Sequence, residues 1–169
     1  MSNLTIVTEP TENNQVLKKL FREVYIGNDH EMQTPDDVAK VRHFGNNGRK
    51  IFIGVTSNDG EILKPADRTL LQKILAAVKL SEDDVFIASI NDILPASFNN
   101  FIEGNAFDKL FFFGVEPIQL NWHLDIVQYQ RTFFSDKELL FAESLSVLST
   151  NDLAKKKLWM QLQLIFNLK

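Results

Sequence analysis

The stretch from Phe107 to Leu120 constrains this chain more than any other. Leu110 to Phe113 is an unbroken apolar run, followed by Gly114 and then Glu116 and Pro117. A strand with one wet face alternates apolar and polar residues, whereas a run apolar on both sides suits a strand covered on both faces. Gly114 lets the chain turn, Pro117 suits the first turn of a helix, and Glu116 suits its positive end. The competing reading is a buried helical segment of the same length. The strand preference of Phe and the punctuation after it favour a strand-to-helix turn.

The rest of the chain repeats that grammar. Leu4, Ile6 and Val7 mark a short edge strand or a tail. Val16, Leu17, Leu20, Phe21 and Val24 recur with helical spacing and stop at Gly27. A second helix is expected after Thr34-Pro35, with Val38, Val41 and Phe44 inward and Gly45 as its stop. Arg49 to Thr56 reads as the first buried strand. Pro65 opens a helix with Leu70, Leu71, Ile74, Leu75 and Val78 on one face. Asp84 to Ser89 is the second strand, Pro95 to Glu103 a short helix, and Asp108 to Gly114 the third strand. Ile126 to Phe134 reads as a strand or an extended segment, and Leu139 to Ala142 as the fourth strand. A final helix from about Leu153 to Asn167 is expected to bury Leu158, Trp159, Leu162, Ile165 and Phe166. Strand and helix in alternation predict an α/β three-layer domain around a four-stranded parallel sheet. Residues 1–169 form one domain in this reading, with 1–45 as an N-terminal helical extension.

Composition narrows the class. A chain of 169 residues, 44% hydrophobic and 24% charged, can bury a core. Its 14 Phe against 2 Trp and 2 Tyr place the aromatic mass in the core. A net charge of −4 argues against a broad nucleic-acid face. Without cysteine there is no disulfide, thiolate nucleophile or Cys-ligated zinc. Neither a signal peptide nor an apolar run near the roughly 18 residues that span a membrane is visible. The expectation is a cytoplasmic protein that makes no membrane contact.

Chemistry is sparse. His30, His43 and His123 lie apart without ligand-like spacing, which favours surface or structural roles over metal or acid–base work. No nucleophile elbow, phosphate loop or dinucleotide fingerprint occurs. The carboxyl ends of the strands offer Thr56, Ser57, Asn58, Asp59, Ser89, Asn91, Asp92 and Glu116, either a small-molecule rim or ordinary loop polarity. Asp36-Asp37 and Asp83-Asp84 suit helix starts and solvated loops better than a carboxylate dyad. Lys155-Lys156-Lys157 reads as a solvated helix face rather than a phosphate contact. Trp122, Phe133 and Phe134, beside turn-like residues, are core or a partner contact.

The second half of the chain resembles the psi subunit of bacterial DNA polymerase III, an adaptor associated with the clamp loader. Leu70 to Ile87, Phe112 to Leu120, and Phe141 to Leu162 carry the likeness. The last of these has a serine-leucine opening, a spacer, basic residues and a terminal Leu158-Trp159 helix. The resemblance spans roughly Lys50 to Leu162 and implies a uracil-DNA glycosylase-like fold with parallel strands in the order 2-1-3-4.

That fold has chemistry to compare. Glycosylases carry a Gly-x-x-Pro-Gly pattern after the first strand and a His-Pro-Ser loop after the last. Here those places hold Thr56-Ser57-Asn58-Asp59 and Ala142-Glu143-Ser144. A vestigial rim of Thr56, Ser57, Asn58, Asp59, Glu116 and Ser144 is therefore expected, with no catalytic residue, metal or cofactor. Fold does not fix function, and a divergent glycosylase acting on DNA bases is the alternative. The implied partners are clamp-loader subunits and a chi-like protein, without direct nucleic-acid binding. Leu17, Phe21, Trp122, Phe133 and Phe134 are the partner-contact candidates. The family's clamp-loader contact is an N-terminal peptide; here about 48 residues precede the first strand and read as two helices.

Overall fold

A computed structural model describes residues 41–57 and 59–168. The expected helix around Leu17 and Phe21, the tail before it, and Asn58 lie outside the described residues. In chain order the strands are β1 (His43–Phe44), β2 (Ile51–Val55), β3 (Val85–Ser89), β4 (Lys109–Phe113), β5 (Thr132–Phe134) and β6 (Lys137–Ala142). The helices are α1 (Pro65–Ala77), α2 (Phe98–Gly104), α3 (Leu145–Thr150) and α4 (Asp152–Ile165). Short 3-10 turns link them, among them Pro117–Leu120.

The protein is mixed α/β, with one six-stranded sheet in the order β1-β3-β2-β4-β6-β5. The sheet is mixed rather than the expected four-stranded parallel one. The inner strands β3, β2, β4 and β6 pair parallel, and β1 and β5 add an antiparallel strand at each edge. Every residue of β2, β3 and β6 is buried, as is β4 beyond Lys109. That is why the inner strands read as apolar runs.

Alternation along these strands divides two cores. Ile51, Ile53, Phe111, Phe113 and Leu140 face α1, α3 and α4, which contribute Leu71, Leu148 and Leu158. Phe52, Leu110, Phe112, Leu139 and Phe141 face the other way, onto Phe98, Phe101 and Ile102 of α2, Leu120 and Trp122. The triple Phe of β4 is thus split, with Phe112 on one face and its neighbours on the other. Phe112 stacks on Phe141 at 4.6 Å between ring centroids and meets Phe52 and Trp122 edge-on at 5.9 Å. Gly54 makes room for it: a Cβ there would sit 2.7 Å from a Phe112 ring carbon and 2.9 Å from a Phe52 ring carbon.

Several expectations are corrected. Val41, Phe44 and Gly45 do not belong to a helix. His43 and Phe44 pair with Ala88 and Ile87 of β3, and the His43 ring stacks on Phe86 at 4.1 Å. Gly45 has φ +91°, and a Cβ on it would fall 2.1 Å from the Val85 carbonyl oxygen. The turn after it donates Asn47 N–H to Val85 O and Arg49 N–H to Asp84 O. The glycine that resembled a helix stop therefore holds an edge strand against β3. The fourth expected strand begins earlier, at Lys137, and of the segment Ile126 to Phe134 only Thr132–Phe134 is strand. Trp159, expected inside, is 36% exposed.

Replacing Phe112 by Ala removes a ring from a fully buried layer and leaves a cavity. The expected loss is about 3–5 kcal/mol. Urea unfolding of the full chain checks it. A loss below about 1 kcal/mol would mean that the layer relaxes to fill the space.

Candidate functional site

At the carboxyl ends of β2, β4 and β6 lies a cleft of about 290 Å³. The exit of β2 brings Thr56, Ser57 and Asp59 to it, the start of α1 brings Lys64 and Asp67, and the start of α3 brings Ser144 and Ser146. Of the expected rim residues it thus gathers Thr56, Ser57, Asp59 and Ser144. Glu116 lies instead on a separate hollow of about 580 Å³, with Trp122, His123 and Asp125.

Ser57, Asp67, Ser144 and Ser146 of the cleft hold the loops in place. Ser144 is the N-cap of α3, its Oγ accepting the Val147 N–H at 3.3 Å. Ser146 Oγ donates to the Asp67 carboxylate at 3.1 and 3.2 Å, which ties α3 to α1. Ser57 Oγ donates to Ser89 Oγ at 3.1 Å, joining the exits of β2 and β3. Ser89, fully buried, also accepts the Asn91 N–H at 3.2 Å. Gly114, with φ +70°, turns β4 out beside Ser144; a Cβ there would lie 2.9 Å from Ser144 Cβ.

Next to Ser144 stands a group that sequence patterning does not find. Tyr129 donates its hydroxyl proton to Glu143 Oε2 at 2.8 Å, and the phenol oxygen of Tyr129 accepts the Glu143 N–H at 3.2 Å. Its own N–H reaches Phe141 O at 2.8 Å. Burial, with a smaller push from the Glu143 carboxylate, raises the phenol to about 12. At neutral pH it stays protonated and pins the exit of β6. Tyr129 has φ +58°, a conformation no periodic pattern announces.

The expected partner residues scatter. Trp122 is 5% exposed, set edge-on against Phe98 at 5.4 Å, and its Nε1–H donates to Asn99 Oδ1 at 2.6 Å. A buried indole with its donor satisfied is core. Phe133 and Phe134, on edge strand β5, are 63% and 39% exposed. The Arg131 guanidinium lies 4.8 Å over the Phe133 ring, and Phe134 leans on Trp122 at 5.4 Å. Leu17 and Phe21 fall outside the described residues, as does His30. His43 sits with Nδ1 2.9 Å from Val41 O, and His123 is exposed. Among the described residues no group of three or more His, Asp or Glu side chains is placed to share a metal ion. None of their helices is long and apolar enough to cross a membrane.

No family model matches the chain, and no curated protein matches it.

The Tyr129 anchor carries a pH signature. Its folded-state value lies above the ordinary phenol value of 10.0. Its stabilisation is therefore complete below about pH 10 and is lost as pH rises through about 12. Tyr129→Phe is expected to cost about 1–2 kcal/mol at pH 7. Urea unfolding at pH 7 and pH 11 should show that difference shrinking at the higher pH. An equal difference at both would remove the phenol from the account.

Proposed function

We propose that this chain is a non-catalytic adaptor in DNA replication, of the psi type, linking the clamp loader to a second, chi-like protein. The observation that carries the reading is the use made of the carboxyl-end rim. Ser57, Ser89, Asp67, Ser144 and Ser146 are bonded to one another or to a helix start. A glycosylase-type site needs donors and acceptors turned towards an extruded base. Here the loop after β6 spends its hydroxyl on capping a helix. The inner strands run parallel in the order β3-β2-β4-β6, which in chain order among themselves is 2-1-3-4. That order, the one implied by the resemblance, supports a uracil-DNA glycosylase-like fold stripped of its chemistry. Exposed apolar side chains such as Phe133, Trp159 and Leu164 suit a protein that works by contact. No cofactor enters this mechanism.

Size-exclusion chromatography of the full chain with purified clamp-loader complex tests the reading. Co-elution is expected at protein concentrations of about 10 µM, as a micromolar or tighter complex requires. Folded protein that elutes alone contradicts it. In parallel, single- and double-stranded DNA containing uracil should release no uracil. Release that is lost in Asp59→Ala or Ser144→Ala would make the protein an enzyme instead.

A further inference from the structure

Helices α1 and α4 lie on the same face of the sheet, each packed against α3. Between them runs a groove of about 190 Å³ that belongs neither to the rim nor to the edge strands. One wall is Leu70, Ile74 and Ala77 of α1; the other is Lys155, Trp159 and Leu162 of α4. Both walls follow an i, i+4, i+7 row, which on a helix is one continuous ridge about 10 Å long. Two such ridges with a gap between them form a seat for a third helix. Apart from Lys155 the wall side chains are apolar, and Trp159 stands at the lip, 36% exposed. A half-exposed indole beside an apolar floor is the residue type that most often anchors a protein contact.

Charge decides what fits. The ionisable side chains lining the groove are Lys73 and Lys155, both cations. Lys73 is exposed and forms no ion pair among the described residues. Lys155 is held at the lip, its Nζ donating to Ser149 O at 3.1 Å and lying 3.5 Å from the exposed Asp152 carboxylate. A basic occupant would meet like charge on both walls, while glutamates flanking an apolar stripe would meet two ammonium groups.

We infer that the groove between α1 and α4 is a docking site for an acidic amphipathic helix of a partner protein. The helix has two or three turns, sets its apolar stripe against Trp159 and Ile74, and directs its carboxylates to Lys73 and Lys155. The inference rests on the adaptor reading above and gives one of its contacts a location and a chemistry.

The test uses the full chain and two labelled synthetic peptides. One has leucines at i, i+3, i+4 and i+7 with glutamate at the flanks; the other has lysine in place of glutamate. Fluorescence anisotropy should show the glutamate peptide binding at least tenfold more tightly than the lysine peptide, with the preference weakening as salt rises. Trp159→Ala should weaken the glutamate peptide tenfold or more. Lys73→Glu, alone and with Lys155→Glu, should invert the preference. All three positions are at least partly exposed, and circular dichroism verifies that the variants stay folded. Equal affinity for the two peptides, no binding by either, or indifference to these substitutions overturns the proposal. Self-association abolished by Trp159→Ala would overturn it in favour of a second copy of the chain. If the chain co-elutes with the clamp loader but binds neither peptide, the adaptor reading stands while this docking site is the part that fails.

Discussion

The Phe112 ring seated over Gly54 is the contact on which the rest of the structure depends. Phe112 touches Phe52, Phe98, Trp122 and Phe141, so one side chain joins β2, β4, β6, α2 and the loop after β4. Any side chain larger than a hydrogen at position 54 would push into that layer. The two inner strands are thereby fixed side by side in register, Gly54 opposite Phe112. A register slip of one residue would move every phenylalanine of β4 to the other face. Helix α2 packs on this layer, while α1, α3 and α4 pack on the opposite face, on Ile51, Ile53, Phe111 and Phe113 of the same two strands.

The amino ends of β4 and β6 are held by charge instead. Glu138, 5% exposed, accepts from Lys109 Nζ at 2.7 Å and also from Arg131. Lys137, 7% exposed, donates to Phe107 O at 2.7 Å. Buried ions need partners of this kind to offset the loss of water. On the far side, Arg68 lies 4.0 Å over the Phe44 ring and forms two 2.8 Å bonds to Glu82. That pairing holds the Glu82 carboxyl below its ordinary range and joins α1 to the turn before β3. Aromatic packing fixes the middle of the sheet, and ionic contacts finish its borders.

What the sequence made legible follows from the same division. The apolar runs of β2, β3, β4 and β6 are visible because both faces of these strands are covered. The 3.6-residue rows of α1 and α4 are visible because one side of each faces the core. β1 was not legible, since two residues carry no period and Gly45 serves a turn as readily as a helix end. The start of β6 was hidden because Lys137 and Glu138 are charged, and only the tertiary fold supplies their partners. Residue pattern leaves Trp122 open between core and partner contact because it stands in a connection; Asn99, 23 positions away, is what lets it go inside. At the rim, Ser57, Asp59 and Ser144 come together as the strand order implied by the resemblance has them, whereas Glu116, grouped with them there, lies on a separate hollow. Their bonding, and the Tyr129 anchor beside them, depend on loop geometry that residue patterns do not encode.

The proposed adaptor role rests on the bonded rim side chains Ser57, Ser144 and Ser146 and on a lysine-edged apolar groove on another face. Hydrogen–deuterium exchange on the full chain, with clamp-loader complex and separately with uracil-containing DNA, asks directly which surface is used. The account predicts protection on the helical face of α1 and α4 when protein is added, with the segments around Ser57 and Ser144 unchanged by either addition. Protection at Ser57 and Ser144 on adding DNA, with none on the helices when protein is added, would contradict it.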